Sequence, residues 1–233
     1  MRKIKILIAD DHAVVRQGTR KLLEQESDLE VVAEACDGEK AVEMAIEFAP
    51  DIAMMDVAMP NLDGIEATKQ IKTHCPDTKV LVLSAYDDDQ FVFSLLEAGA
   101  AGYLLKSVHT GELVAAIRAI YEGGFVFHPS ITEKVLSRSM SSSGKSRHKV
   151  VSGDLNEREV AILKMMSKGM ANKNIADDLC ISIRTVQGHL SQIFRKLRVS
   201  SRMEAVVYAL KGGLITVDDM LQEESIKSLT VWN

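Results

Sequence analysis

In the first half of the chain, polar residues close a series of short apolar runs. Asp10 and Asp11 follow Ile4–Ala9, Asp56 follows Ile52–Met55, Ser84 follows Val80–Leu83, and Lys106 follows Gly102–Leu105. Three carboxylates brought to one place repel one another unless a hard cation joins them, and oxygen-only ligation with open water positions suits Mg²⁺. A lysine opposite the metal adds positive charge without competing as a ligand. Such a set could stabilise an incoming phosphoryl group: Mg²⁺ and Lys106 neutralise its oxygens, Ser84 hydrogen-bonds one of them, and a carboxylate oxygen serves as nucleophile. An acyl phosphate on Asp56 is a feasible product. Asp51 precedes its strand, Asp63 lies in the following loop, and Asp87-Asp88-Asp89 reads as a solvated helix-start run, so these acids stand outside the set.

The elements that must gather these residues are legible in the periodicity. Between residue 4 and about 122 the runs Ile4–Ala9, Val31–Ala35, Ile52–Met55, Val80–Leu83 and Gly102–Leu105 alternate with helical patterns. Examples are Ala41, Met44, Ala45, Phe48 and Leu113, Ala116, Ile117, Ile120. Five strand–helix pairs predict an α/β domain with a parallel sheet covered on both faces, and units of this length fit the flavodoxin-like order 2-1-3-4-5. Ligands of such sheets sit beyond the carboxyl ends of the strands. In that order the strands bearing Asp10-Asp11, Asp56, Ser84 and Lys106 are adjacent, so the polar set converges on one rim.

The rest of the chain has a different character. Ser137–Gly153 (SRSMSSSGKSRHKVVSG) is serine-rich, basic and aperiodic, and reads as a flexible linker. From Asp154 to Gly213 the pattern is all helical. Asn156–Lys168 stops at Gly169, Asn172 can cap a short Lys173–Asp178 helix, Ser182 caps a third helix reaching about Arg198, and Arg202–Leu210 closes at Gly212-Gly213. The expected division is 1–124 for the α/β domain, 125–153 for the linker, 154–213 for an all-α four-helix domain and 214–233 for a tail without clear pattern.

Composition narrows the function classes. Of 233 residues, 46% are hydrophobic and 26% charged, as in ordinary globular protein. No run is apolar enough for a membrane span or a signal peptide, so a cytoplasmic protein is expected. Cys36, Cys75 and Cys180 form no CxxC pair and read as reduced thiols; His12, His74, His109, His128, His148 and His189 are scattered, which gives no zinc signature. The net charge of −5 conceals an asymmetry. Residues 1–125 hold 12 basic against 22 acidic residues, and residues 126–233 hold 16 against 11, so the back half is the one suited to a polyanion.

Within that basic half, the second helix, the turn Leu179-Cys180-Ile181-Ser182 and the third helix have a helix-turn-helix layout, in which the third helix enters the DNA major groove. Val186, Leu190, Ile193 and Leu197 make its packing stripe. Arg184, Gln187, Gly188, Ser191, Arg195 and Arg198 make a polar, basic opposite face. Any surface helix has a polar face, but the caps, the short preceding helix and 10 basic against 6 acidic residues over 154–213 favour nucleic acid. Gly188 costs a helix about 1 kcal/mol relative to Ala, and reflects either close backbone approach to DNA or a tolerated blemish.

Asp10-Asp11, Asp56 with Met59-Pro60 and Asp63-Gly64, Ser84-Ala85, and Gly102-Tyr103-Leu104-Leu105-Lys106 resemble a two-component receiver domain. Leu155-Asn156-Glu157-Arg158-Glu159, Asn172-Lys173-Asn174-Ile175-Ala176 and Ser182 through His189 resemble a LuxR-type domain; together the two resemble the NarL/FixJ class of response regulators over nearly the whole chain. The resemblance implies Asp56 as phosphoacceptor, a metal held by Asp10, Asp11, Asp56 and the Ala58 backbone carbonyl, Ser84 as switch hydroxyl and Tyr103 as rotating aromatic. In the reader it implies phosphate contacts from Asn172, Lys173, Thr185 and Arg195, with Gln187, Gly188 and Ser191 facing base edges. Ser107 departs from the family's usual proline, Gln187 from its usual lysine, and Gly188 from its usual side chain; the missing charge should lower nonspecific affinity, while Gln can still pair with adenine.

The function implied is a DNA-binding transcriptional response regulator, not an enzyme. A sensor histidine kinase would phosphorylate Asp56, and the regulator would pair as a homodimer on double-stranded operator DNA. Two alternatives come from other classes. An aspartyl-phosphate hydrolase would need a general acid/base beside the nucleophile, and residues 57–59 are Val-Ala-Met. A receiver-like domain that binds DNA constitutively would have no use for the complete acidic set.

Overall fold

Strands whose residues are apolar at nearly every position must be buried on both faces, and in the computed structural model they build a parallel sheet. The described residues are 2–85, 92, 94–95, 97–127, 155–199, 201–216 and 219. The expected linker at Ser137–Gly153, the Asp87-Asp88-Asp89 run and most of the tail lie outside them. The chain divides into two units, Met1–Tyr121 with Val126–Ile131, and Glu122–Phe125 with Thr132–Asn233.

In the first unit, β1 (Ile4–Ala9), β2 (Leu29–Ala35), β3 (Ile52–Met55), β4 (Lys79–Ser84), β5 (Gly102–Leu105) and β6 (Val126–Phe127) stand in the order β2-β1-β3-β4-β5-β6. All neighbouring strands are parallel. The expected 2-1-3-4-5 order is present, extended by one strand. Val126 and Phe127 pair with Gly102 and Tyr103, so two residues of the segment assigned to linker belong to the sheet. Two residues are too few to carry a period, which is why composition alone misassigned them.

The helices are α1 (Ala13–Leu23), α2 (Gly38–Phe48), α3 (Gly64–His74) and α4 (Thr110–Tyr121). Val92, Ser94, Leu95 and Glu97 are also helical. Asp37 and Asp63 cap α2 and α3 by accepting from the amides of Lys40 and Glu66. Asp63 is therefore a helix cap. Leu113, Ala116, Ile117 and Ile120 of α4 are buried as their spacing predicts. In α2 the buried side is Ala41, Val42 and Ala45, whereas Phe48, part of the predicted stripe, is 39% exposed because it stands at the helix's last turn. Asp51 lies at the opposite end of the sheet from Asp56, where it accepts from the Lys5 amide and the Arg2 guanidinium.

The second unit contains α5 (Glu157–Ser167), α6 (Asn172–Asp178), α7 (Ile183–Leu197) and α8 (Arg202–Lys211). Gly169 takes the left-handed conformation after α5 (φ 78°), as a helix stop at that position requires. Ser182 caps α7 through the Thr185 amide, and Val186, Leu190, Ile193 and Leu197 are all buried. The predicted cap at Asn172 is corrected: Ala171 precedes the helix without a side-chain cap, and Asn172 is its first residue. Its side chain instead accepts from Arg202 Nη1 at 3.0 Å, a partner thirty residues away that local pattern could not announce.

One buried charge ties this unit together. Glu159 has no exposed side-chain surface, accepts from the Asn156 amide in a capping box, and receives Lys196 Nζ on both oxygens at 2.8 and 2.7 Å. Burial alone would raise the Glu159 pKa, but Lys196 and the Asn156 amide outweigh it and hold the carboxyl below its ordinary 4.5. The stabilisation is thus complete above about pH 4.5 and is lost as pH falls through the depressed value. Glu159→Gln should cost about 2 kcal/mol at neutral pH and flatten the acid limb of the stability profile. Thermal unfolding of both proteins between about pH 3 and 7 measures this; an unchanged acid limb would contradict it.

Candidate functional site

The carboxyl ends of β1, β3 and β5 deliver the charged side chains of the predicted rim. Asp10 and Asp56 are each 5% exposed, and the Asp56 amide donates to the Ala9 carbonyl at 2.9 Å, locking the end of β3 to the end of β1. Lys106 Nζ lies 2.8 Å from Asp10 Oδ2 and 2.7 Å from Asp56 Oδ2. Asp56 Oδ1 accepts from the Val57 amide at 2.8 Å, and Asp10 Oδ1 from the His12 amide at 2.8 Å. Arg16, one turn into α1, donates to the Asp10 carbonyl at 2.6 Å.

Charge in this cluster is unbalanced, because one ammonium faces two buried carboxylates with Asp11 beside them. Burial pushes the Asp56 pKa up, and the Lys106 hydrogen bond only partly offsets it. Burial also pulls on Lys106 from below, but its hydrogen bonds to Asp10 and Asp56 win and raise its pKa, so it stays protonated at neutral pH. Ligand atoms of Asp10, Asp11, His12 and Asp56 all lie within 4.8 Å of one another. Three carboxylates at that spacing fit a hard divalent cation. A cavity of about 130 Å³ lies against the cluster, lined by Asp10, Asp56 and Lys106 together with Val15, Met54 and Leu113.

Sequence reading overlooked two residues here. His12 has no second histidine or cysteine at ligand spacing in the sequence to mark it; its Nδ1 is 2.6 Å from Asp11 Oδ1. Its adjacency to the paired acids was the available signal. Arg16 gave none, since it lies outside every strand end.

The other predicted residues fall as follows. Ser84 ends β4, fully buried, and its carbonyl accepts from the Lys106 amide at 2.8 Å. Tyr103 is completely buried in β5, opposite Val82 of β4 and Phe127 of β6. Ala58 is exposed in the loop after Asp56, while the Val57 carbonyl is occupied by the Gly64 amide at 2.9 Å. No cis peptide occurs among the described residues, so the bond entering Ser107 is trans.

Gly64 explains the Asp63-Gly64 pair. A Cβ there would lie 2.0 Å from the Asp56 carbonyl oxygen, whereas at Gly18 of α1 a Cβ would meet nothing within 4 Å.

On the second unit, Lys173, Arg184, Thr185, Gln187, Gly188, Ser191 and Arg195 are exposed, and Asn172 is half-buried. All but Asn172 and Lys173 belong to one surface of α7. Arg198 follows it as a left-handed cap (φ 56°), which ends the helix. Lys196, although on the same helix, is engaged by Glu159.

Comparison with known proteins agrees with both halves. The response regulator receiver domain model matches residues 6–118, and the model for bacterial regulatory proteins of the luxR family matches residues 154–209. The transcriptional regulatory protein LiaR of Bacillus subtilis is 42% identical, the match covering 91% of this chain and 99% of that protein. Among solved structures, the response regulator ChrA of a heme-sensing two-component system is 33% identical with a TM-score of 0.51, covering 92% of this chain and 100% of the other. A structure of two RcsB dimers bound to two parallel DNAs is 25% identical with a TM-score of 0.53, covering 90% and 99%.

Gly64→Ala should force the loop after β3 away from Asp56, lowering the melting temperature and weakening Mn²⁺ binding severalfold. Gly18→Ala should do neither. Thermal unfolding and Mn²⁺ titration of the two variants check the contrast, and equal behaviour would refute the assigned contact.

Proposed function

Because this chain belongs to the NarL/FixJ class of two-component response regulators, we propose that Asp56 is its phosphoacceptor and that phosphorylation there controls operator binding by the second unit. The observation that carries this reading is the pair of buried carboxylates, Asp10 and Asp56, sharing the Lys106 ammonium beside Asp11. A sensor histidine kinase supplies the phosphoryl group. A carboxylate oxygen of Asp56 attacks phosphorus, the O–P bond forms as the P–N bond to the donor imidazole breaks, and the imidazole leaves with a proton. Lys106 balances charge on the phosphoryl oxygens, and Ser84 accepts the role of hydrogen-bond donor to one of them. Asp10, Asp11, Asp56 and the Ala58 carbonyl would hold Mg²⁺, which when bound neutralises phosphoryl charge.

The new group adds roughly two negative charges to a rim already short of positive ones. Ser84 and Tyr103 respond, and the face carrying β5 and α4 changes its pairing preference, favouring a homodimer on a double-stranded operator with two half-sites. In the reader, Asn172, Lys173, Thr185 and Arg195 contact phosphates, while Gln187, Gly188 and Ser191 face base edges, with Arg184 on the same helix surface. The domain bounds are 1–124, 125–153 with Val126 and Phe127 in the sheet, 154–213 and 214–233. This regulator works in the cytoplasm, with no catalytic turnover of its own; among the described residues no helix is long and apolar enough to cross a membrane.

Incubation with a small acyl phosphate and Mg²⁺ should label the wild type stoichiometrically, and Asp56→Asn at less than about a tenth of that level. Operator affinity should rise at least about tenfold on labelling in the wild type alone. Labelling of Asp56→Asn at the wild-type level would remove the acceptor assignment, and an operator affinity indifferent to the phosphodonor would remove the switch.

A further inference from the structure

Positive charge is unevenly distributed along α7. Arg184 stands at one end of its exposed surface and Arg195 near the other, while Gln187, Gly188 and Ser191 between them carry none. Lys196 lies beyond Arg195, outside this stretch, and both Glu159 oxygens hold its ammonium. Phosphate attraction is therefore confined to the ends of the surface. Its centre can recognise a partner only through hydrogen bonds and shape.

Two features give that centre a definite chemistry. The first is Gln187, whose exposed carboxamide offers one donor beside one acceptor. In the major groove adenine presents the matching pattern, an N7 acceptor next to an N6 donor, whereas guanine presents two acceptors and would oppose the Gln oxygen. Ser191 cannot imitate a second donor freely, since its hydroxyl donates to the Gln187 carbonyl at 3.0 Å.

The second feature is Gly188. It sits inside a regular helix, and a Cβ built on it meets no atom within 4 Å. Nothing within the protein requires glycine there, yet glycine in a helix interior is less stable than alanine. Of the two explanations open at the level of sequence, close backbone approach to DNA and a tolerated blemish, the first is favoured because Gly188 is exposed on the same surface as Gln187 and Ser191. Next to an adenine-reading Gln, the apolar group of the groove is the C5-methyl of thymine. A bare Cα leaves a recess for it.

We infer that α7 reads an A·T-containing step in each half-site, with Gln187 pairing to adenine and the recess at Gly188 seating a thymine methyl. This deepens the operator-binding reading above and rests on it. The test uses the full-length, phosphorylated protein and a randomised duplex pool. Selection should enrich adenine at one position of each half-site, and 7-deazaadenine there should weaken binding about tenfold. Gln187→Lys should move the preference at that position to guanine.

For the recess, Gly188→Ala should raise thermal stability yet bind the selected site severalfold more weakly, and recover when the contacted thymine is replaced by deoxyuridine. Guanine or no base preference at the Gln187 position overturns the adenine assignment. Undiminished binding by Gly188→Ala, or no recovery on deoxyuridine, overturns the recess. Failure of the phosphorylated wild type to enrich any sequence would instead remove the operator-binding reading itself, a distinct result.

Discussion

The ammonium of Lys106 between the carboxylates of Asp10 and Asp56 constrains most of the first unit. Buried carboxylates are costly unless they are paired and hydrogen-bonded, so β1, β3 and β5 must end at the same height and in the order that sets their termini together. The backbone serves that requirement directly. The Asp56 amide is bonded to Ala9, the Val57 carbonyl to Gly64, and the Asp10 carbonyl to Arg16. One ammonium among three carboxylates leaves a surplus of negative charge, which the proposed divalent cation would relieve and the proposed phosphorylation would renew.

Much of this was legible beforehand because the physical causes are local or periodic. Strands buried on both faces leave uninterrupted apolar runs, and the polar residues ending them mark the rim. The stripe Val186, Leu190, Ile193, Leu197 likewise fixes which side of α7 packs and which side is exposed. What escaped was either too short or too distant in sequence to leave a pattern. Two residues of β6 carry no period. Asn172 resembles a cap by type, but Arg202 claims its oxygen from another helix. Phe48 fits the spacing of a buried face but lies at a helix end where the neighbouring surface has run out.

His12 illustrates another limit. Its chemistry was recognisable, but a search for ligand pairs passes over a single imidazole that completes a set of acids. In the second unit, the charges of α7 cannot be counted from sequence as though all were available. Lys196 belongs to Glu159, which leaves Arg195 as the exposed cation of the last turn of α7, well separated from Gln187 and Gly188.

Glu159 also joins two helix ends that would otherwise be independent. Its carboxylate closes the first turn of α5 through the Asn156 amide and holds the last turn of α7 through Lys196. The start of α5 and the end of α7 are therefore tied through one side chain, and loosening either removes a partner from the other. The anchoring of α7 is consequently set 37 residues upstream of Lys196, by a side chain with no exposed surface.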